Sequence, residues 1–225
     1  MPAALEVHGL TKHFGGLRAV DGVDLVVQPG ELRAVIGPNG AGKTTLFNLI
    51  TGYLKPTAGT VTFDGADITG LATYRVARAG IGRAFQITSI FPGLTVHENV
   101  RLGIIAQRQE SRRFYGRAEG LHATDVRAIL DDVGLLPVDA ELAGNLSHGD
   151  QRALELAISL ALQPKLLLLD EPTAGMAPAE TRRTMDLVRR IAAERSLTVL
   201  FCEHDMDVVF GTADRILVMH QGRPL

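Results

Sequence analysis

The order of apolar runs predicts an α/β fold, and three observations carry that prediction. A Gly-rich turn, GPNGAGKTT at 37–45, stands between an apolar run and a helical one. Later apolar runs alternate with helical stretches, the pattern of a parallel sheet covered on both faces. Between Gln86 and Leu162 strand signals vanish and three helical stretches follow one another, which predicts an all-helical insertion. The expected plan is one domain over 1–225, with a core from 1–85 and 163–225 and a helical subdomain at 86–162.

Each element has a local reason. LEVHGL (5–10) and AVDGVDLVV (19–27) are apolar, partly β-branched runs separated by a short GGL turn, and QPGE (28–31) is a tight turn before the next run. Strands so close in sequence point to an antiparallel piece. LRAVI (32–36), TVTF (60–63), GIGRAF (80–85), LLLLD (166–170), TVLFC (198–202) and RILVM (215–219) complete the strand set. Helices are expected near 44–54, 73–79, 95–108, 121–133, 149–162, 179–194 and 205–211.

Composition narrows the function classes. A chain of 225 residues is long enough to bury a proper core. Lys plus Arg is 23 against 25 for Asp plus Glu, so no basic excess marks a nucleic-acid binder. The one basic cluster, Arg108, Arg112, Arg113 and Arg117, is interrupted by Glu110 and Glu119 and reads as a solvated face. Cys202 is the single cysteine, which excludes an internal disulfide and a Cys-rich metal site; its apolar run makes it a core residue. The N-terminus has no basic start followed by an apolar stretch, and no window is long and apolar enough to span a bilayer. A cytoplasmic protein is expected.

Residues 37–45 satisfy G-x-x-x-x-G-K-[ST] in full, with Gly37, Gly42, Lys43 and Thr44 at the fixed places and Pro38, Asn39, Gly40, Ala41 and Thr45 filling the loop. A strand, a Gly-rich turn and a helix start aim backbone N–H groups at an anion. Lys43 supplies a point charge for β- and γ-phosphates, and the Thr44 hydroxyl suits Mg²⁺. A bound nucleoside triphosphate with Mg²⁺ is what this predicts.

LLLLDEP (166–172) describes a buried central strand with Asp170 at its C-terminal end, where ligands of open α/β sheets bind. Asp170 there can hold Mg²⁺, and Glu171 can orient or deprotonate a water. Ser147 and Asp150 in LSHGDQ (146–151) have capping-box spacing ahead of an apolar helix; whether that helix start also receives an anion is not decided by spacing. Gln86 and His204 follow strands, weak signals by themselves; Phe14, after the first strand and before GGL, reads by itself as core, although an aromatic at that edge could stack on a base. Ile87, Ile90, Phe91 and Leu94 surround a Pro92–Gly93 turn and suit either internal packing or a groove for another protein.

Taken together, Lys43 in its loop, Gln86, LSHGDQ, LLLLDEP and His204 stand in the order of ATP-binding cassette (ABC) proteins, and the chain resembles that family over essentially its whole length. The resemblance implies a P-loop NTPase (RecA-like) core with a helical subdomain, and two cassettes binding ATP across their interface. It implies that Ser147 and Gly149 touch the γ-phosphate from the opposite subunit, that Gln86 senses Mg²⁺–ATP, that Glu171 is the catalytic base, that His204 is the switch histidine, and that Phe14 stacks on adenine. Partners would be a second cassette, identical or homologous, transmembrane permease subunits and, indirectly, a solute-binding protein, at the inner face of the cell membrane. In that family 87–100 receives a coupling helix from the permease.

FGGLRAVDGVDL (14–25), DEPTAGM (170–176) and CEHDMDVVF (202–210) resemble most the cassettes of branched-chain amino acid uptake, with urea, amide and lipopolysaccharide-export cassettes close in style. Some positions depart. His148 and Asp150 replace Gly and Gln of the usual LSGGQ, and Ala177 stands where an Asp is usual. Relatives usually continue past HQGRPL with a helical tail, so a shortened chain is expected. A soluble ABC ATPase acting on DNA or ribosomes is the alternative. The distance from Lys43 to Ser147 is too short for the coiled coil of the DNA-repair type, and one cassette rather than two argues against the translation type. No N-K-x-D guanine reader occurs, which excludes a GTPase.

Overall fold

The computed structural model describes residues 2–84, 90–108, 110 and 122–225. Two sheets organise it. An antiparallel four-stranded sheet has the order β2-β1-β4-β5, from β1 (Leu5–Phe14), β2 (Leu17–Val27), β4 (Ala58–Phe63) and β5 (Ala66–Asp67). A six-stranded sheet has the order β10-β9-β3-β8-β7-β6, from β3 (Leu32–Ile36), β6 (Ile81–Ala84), β7 (Leu166–Asp170), β8 (Thr198–Cys202), β9 (Arg215–His220) and β10 (Arg223–Pro224). Four of its five pairings are parallel, and the terminal β9–β10 hairpin is antiparallel.

The parallel strands are buried on both faces because their side chains alternate between two cores. Leu166, Leu168, Leu200, Cys202 and Val35 face α1 (Lys43–Ile50) and the antiparallel sheet. Leu167, Leu169, Val199, Phe201 and Ala34 face the helices on the other side. Those are α3 (Val96–Gln107), α4 (Ala123–Asp132), α5 (His148–Ala161), α6 (Pro178–Arg195) and α7 (Met206–Thr212). The short α2 (Thr73–Ala79) leads into β6. The antiparallel start and the parallel remainder are as the sequence predicts.

Between the neighbouring strands β6 and β7, the described chain is helical, with α3 packed on α4 and α5. Its apolar residues Val100, Ile104, Val126, Leu130 and Leu154 share one core with the sheet rather than forming a separate one. Local starts are well specified. Thr95 caps α3 in a complete capping box with Glu98, whose carboxyl is held below its usual range chiefly by the Thr95 main-chain N–H.

The short strands β5 and β10 are not expected from the sequence, and two expected elements have different ends. β1 runs on to Phe14 because Gly9, at φ 55°, takes up a bulge that restores the inward alternation from Val7 to Leu10. The first helix stops at Ile50, not Leu54. Gly52 turns left-handed there (φ 72°), and a Cβ on it would lie 2.1 Å from the Leu71 carbonyl oxygen.

Candidate functional site

The loop 37–42 leaves the C-terminal end of β3, the sheet end at which open α/β proteins bind ligands. Its glycines are fixed by backbone. A Cβ on Gly37 would stand 2.2 Å from the Met219 carbonyl oxygen, and one on Gly42 (φ 98°) 2.2 Å from that of Ala19. The loop is tied down by Ala41 N–H to Pro38 O at 3.1 Å and by Gly222 N–H to Ala41 O at 3.0 Å. Gly42 is the N-cap of α1 and has no side chain with which to cap, so the first-turn amides are available to an anion. Lys43 is buried, and its ammonium donates to Gly37 O at 2.6 Å and Pro38 O at 3.2 Å, inside the loop.

Asp170 ends β7 and is buried. Burial pushes its carboxyl above the usual range, and the Arg83 guanidinium, 2.9 Å away, opposes that rise. Arg83 also donates to Asn48 Oδ1 at 2.6 Å. Glu171 sits at φ 55°, left-handed for a side-chain-bearing residue, and its Oε1 lies 2.8 Å from His204 Nε2. The fold thus joins two residues that follow different strands.

Ser147 caps α5, accepting from Asp150 N–H at 3.2 Å and donating its hydroxyl to Asp150 Oδ2 at 2.7 Å. Ser147 is exposed and Gly149 half-buried, and no hydrogen bond joins them to 37–45 among the described residues. Phe14 is exposed at the tip of the β1–β2 hairpin with the Lys12 ammonium 5.2 Å from its ring centre, so it is not a core residue. Phe91 is exposed as well, which removes the internal-packing reading for it, while Ile90 packs against the core. Gln86 and Ile87 lie outside the described residues, as do Arg112, Arg113 and Arg117. Cys202 is buried, and burial holds its thiol well above its ordinary value.

Two functional candidates escape the sequence reading. Arg83 interrupts an apolar strand, the one signal that could have marked it. Glu203 precedes His204 at a strand end, where a carboxylate ordinarily meets solvent, yet it is buried. Beside β6, an edge strand, a cavity of about 590 Å³ is lined by Asn48, Tyr53, Val76, Arg83, Ile158 and Leu162 among others.

The donor set fits a nucleoside triphosphate with a hard divalent cation. It joins main-chain amides at a helix start, a buried ammonium, the Thr44 hydroxyl and one buried carboxylate. No group of three or more acidic, His or Cys side chains placed to hold a metal ion occurs among the described residues.

The sequence family described as "ABC transporter" matches residues 20–174. The chain is 42% identical to the high-affinity branched-chain amino acid transport ATP-binding protein LivG of Escherichia coli K12, over 98% of this chain and 89% of that one. It is 41% identical to BraF of Pseudomonas aeruginosa, a protein of the same description, with the same coverage. Among solved structures, the ADP conformation of MJ1267, an ATP-binding cassette of an ABC transporter, superposes with a TM-score of 0.90 at 32% identity, covering 100% of this chain and 90% of that one. A dimeric post-hydrolysis state of the cassette MJ0796 bound to ADP and Pi superposes at 0.81 and 26% identity, covering 98% and 96%.

Proposed function

The chain belongs to the ABC transporter family and is an ATPase of that family, and from this premise we propose that it drives branched-chain amino acid uptake as a peripheral subunit. The observation that carries the reading is the pairing of Glu171 with His204 beside the Asp170 strand end and the 37–45 loop. LivG and BraF supply the solute class. No helix among the described residues is long and apolar enough to cross a membrane, so the transport path would belong to permease subunits and solute capture to a binding protein.

In this reading the loop amides and Lys43 bind the β- and γ-phosphates, and Thr44 and Asp170, with Gln86, would hold Mg²⁺. The cation would neutralise charge developing on the phosphates. Phe14, exposed on its hairpin, stacks on adenine. Glu171 takes the proton of the attacking water while His204 fixes the orientation of its carboxylate. Ser147, exposed, and Gly149, half-buried, at the start of α5 complete the site of a second cassette, whose own pair completes this one. To do so the Ser147 hydroxyl must leave Asp150, a competitor created by the departure from LSGGQ.

The cavity beside β6, with exposed Phe91 nearby in sequence, suits a docking segment of the permease. Arg83 reaches from its wall to Asp170 and would report the state of one to the other. The segment 86–162 would then move as a unit on the core.

Glu171→Gln tests the proposal. It should bind ATP normally, hydrolyse it about 100-fold or more slowly, and run as a dimer in size exclusion with ATP and Mg²⁺. A monomer with nucleotide demonstrably bound, or turnover at the normal rate, would refute the reading.

A further inference from the structure

Behind the exposed Glu171–His204 pair lies a carboxylate that the proposed chemistry leaves without a task. Glu203 is 4% exposed. Its Oε1 accepts from the Thr173 main-chain N–H at 2.9 Å and from the Thr173 hydroxyl at 2.6 Å, and its Oε2 accepts from the His204 main-chain N–H at 3.1 Å. No basic side chain forms an ion pair with it among the described residues. A buried carboxylate without a counter-cation is retained only where hydrogen bonds satisfy it, and here the three donors come from two different loops.

Those loops are the ones that carry the chemistry. β7 and β8 are parallel neighbours up to the pair Asp170–Cys202, and Glu171 N–H still reaches Cys202 O at 3.1 Å. The ladder then ends, because Glu171 leaves the extended conformation and the His204 N–H is taken by Glu203 Oε2. The side chains of Glu171 and His204 are 43% and 44% exposed, and an exposed pair of that kind holds its own geometry weakly. Glu171 is moreover in a left-handed conformation, which persists only where its surroundings over-determine it. Something behind the pair must fix both chain exits, and Glu203 is the group that contacts both.

We propose that Glu203 is a positioning residue, a buried clasp that ties Thr173 to the main chain of His204 and thereby holds the Glu171–His204 pair in register. The clasp also reaches forward. Met176 N–H bonds Thr173 O at 3.1 Å, so residues 174–177, which lack a polar side chain at Ala177, are anchored to the switch histidine through Thr173 and Glu203. The inference rests on the reading of Glu171 as the base, and its test separates the two.

The full chain is compared with Glu203→Ala, Glu203→Gln, Thr173→Val and Thr173→Ser by hydrogen exchange, labelled-ATP binding and steady-state hydrolysis. Glu203→Ala should speed exchange at the amides of Thr173 and His204 about tenfold or more, the loss of one hydrogen bond each, with the rest of the chain unchanged. Its kcat should fall about tenfold with ATP affinity within about twofold, the split expected when geometry rather than binding is lost. Glu203→Gln and Thr173→Val should lie between, Thr173→Ser should match the parent, and Thr173→Val added to Glu203→Ala should cost little more. Unchanged protection at those amides would overturn the clasp. So would normal kcat in Glu203→Gln and Thr173→Val while Glu171→Gln is inactive. Faster exchange throughout the chain with matching loss of ATP affinity would overturn it in favour of general stability. Normal turnover of Glu171→Gln would instead remove the base reading, while local loss of protection in Glu203→Ala would still support the clasp.

Discussion

The loop at 37–45 and the start of α5 at 147–149 both carry glycines at a helix N-terminus, yet they are built in opposite ways. Gly37 and Gly42 press against carbonyl oxygens of their own chain, and Lys43 is buried among the loop's own carbonyls. Ser147 is exposed and Gly149 half-buried, and the one close neighbour of a Cβ on Gly149 would be the end of the Glu180 side chain, 2.9 Å away. The first segment is therefore shaped by the monomer. The second is not required by the monomer in that form, which is the physical sense in which it suits a surface completed by another molecule.

The largest effect should come from the charge inside the first segment. Lys43→Ala removes two or more charge-assisted contacts to phosphate, each worth about 1.5–3 kcal/mol, so ATP affinity should fall about 100-fold or more. Labelled-ATP binding that stays unchanged would break the contrast at its stronger side.

A smaller effect, read as stability, concerns the carboxylate beneath that loop. Arg83→Met leaves Asp170 buried without its counter-charge, which should cost about 3 kcal/mol at neutral pH, the low end for a buried pair because Arg83 keeps some contact with solvent. The sign with pH follows from the direction of the shift. Burial already raises the Asp170 carboxyl, so the folded state holds its proton more tightly than the unfolded one and stability falls as pH rises through the folded value. Losing Arg83 enlarges that rise. The penalty should thus be full near neutrality and shrink towards about pH 4, where the unfolded carboxyl takes its proton too. Urea denaturation of both proteins at several pH values measures this, and a penalty independent of pH would show that packing rather than charge is lost.

The smallest stability effect sharpens the comparison itself. Gly42→Ala should destabilise the chain by about 1–3 kcal/mol, since its methyl meets a backbone oxygen that cannot swing away. Gly149→Ala should change stability by less than about 0.5 kcal/mol, because Glu180 can turn aside, and yet slow hydrolysis. Equal destabilisation by the two, seen in thermal melts, would mean that α5 is shaped by its own chain after all.

How much was legible follows from where each property originates. The strand LLLLD, the loop GPNGAGKTT and the capped start of α5 are local patterns, and the structure forms each where the sequence placed it. Phe14 and Phe91 were ambiguous because exposure depends on what packs over a residue, and both prove exposed. Arg83 and Glu203 gave almost no signal. An arginine in a strand and a glutamate at a strand end are ordinary surface residues until the fold supplies Asp170 to one and Thr173 to the other.

By itself the sequence determined the order and type of elements, the phosphate-binding turn and the acidic end of β7, because periodicity, glycine spacing and caps act over a few residues. Only the tertiary structure decided that Glu171 and His204 meet at 2.8 Å, that Asp170 is held by Arg83, and that a buried Glu203 joins the two loops. Those contacts span 30 or more positions and depend on β6, β7 and β8 lying side by side, a pairing set by the burial of both sheet faces rather than by any short stretch of residues.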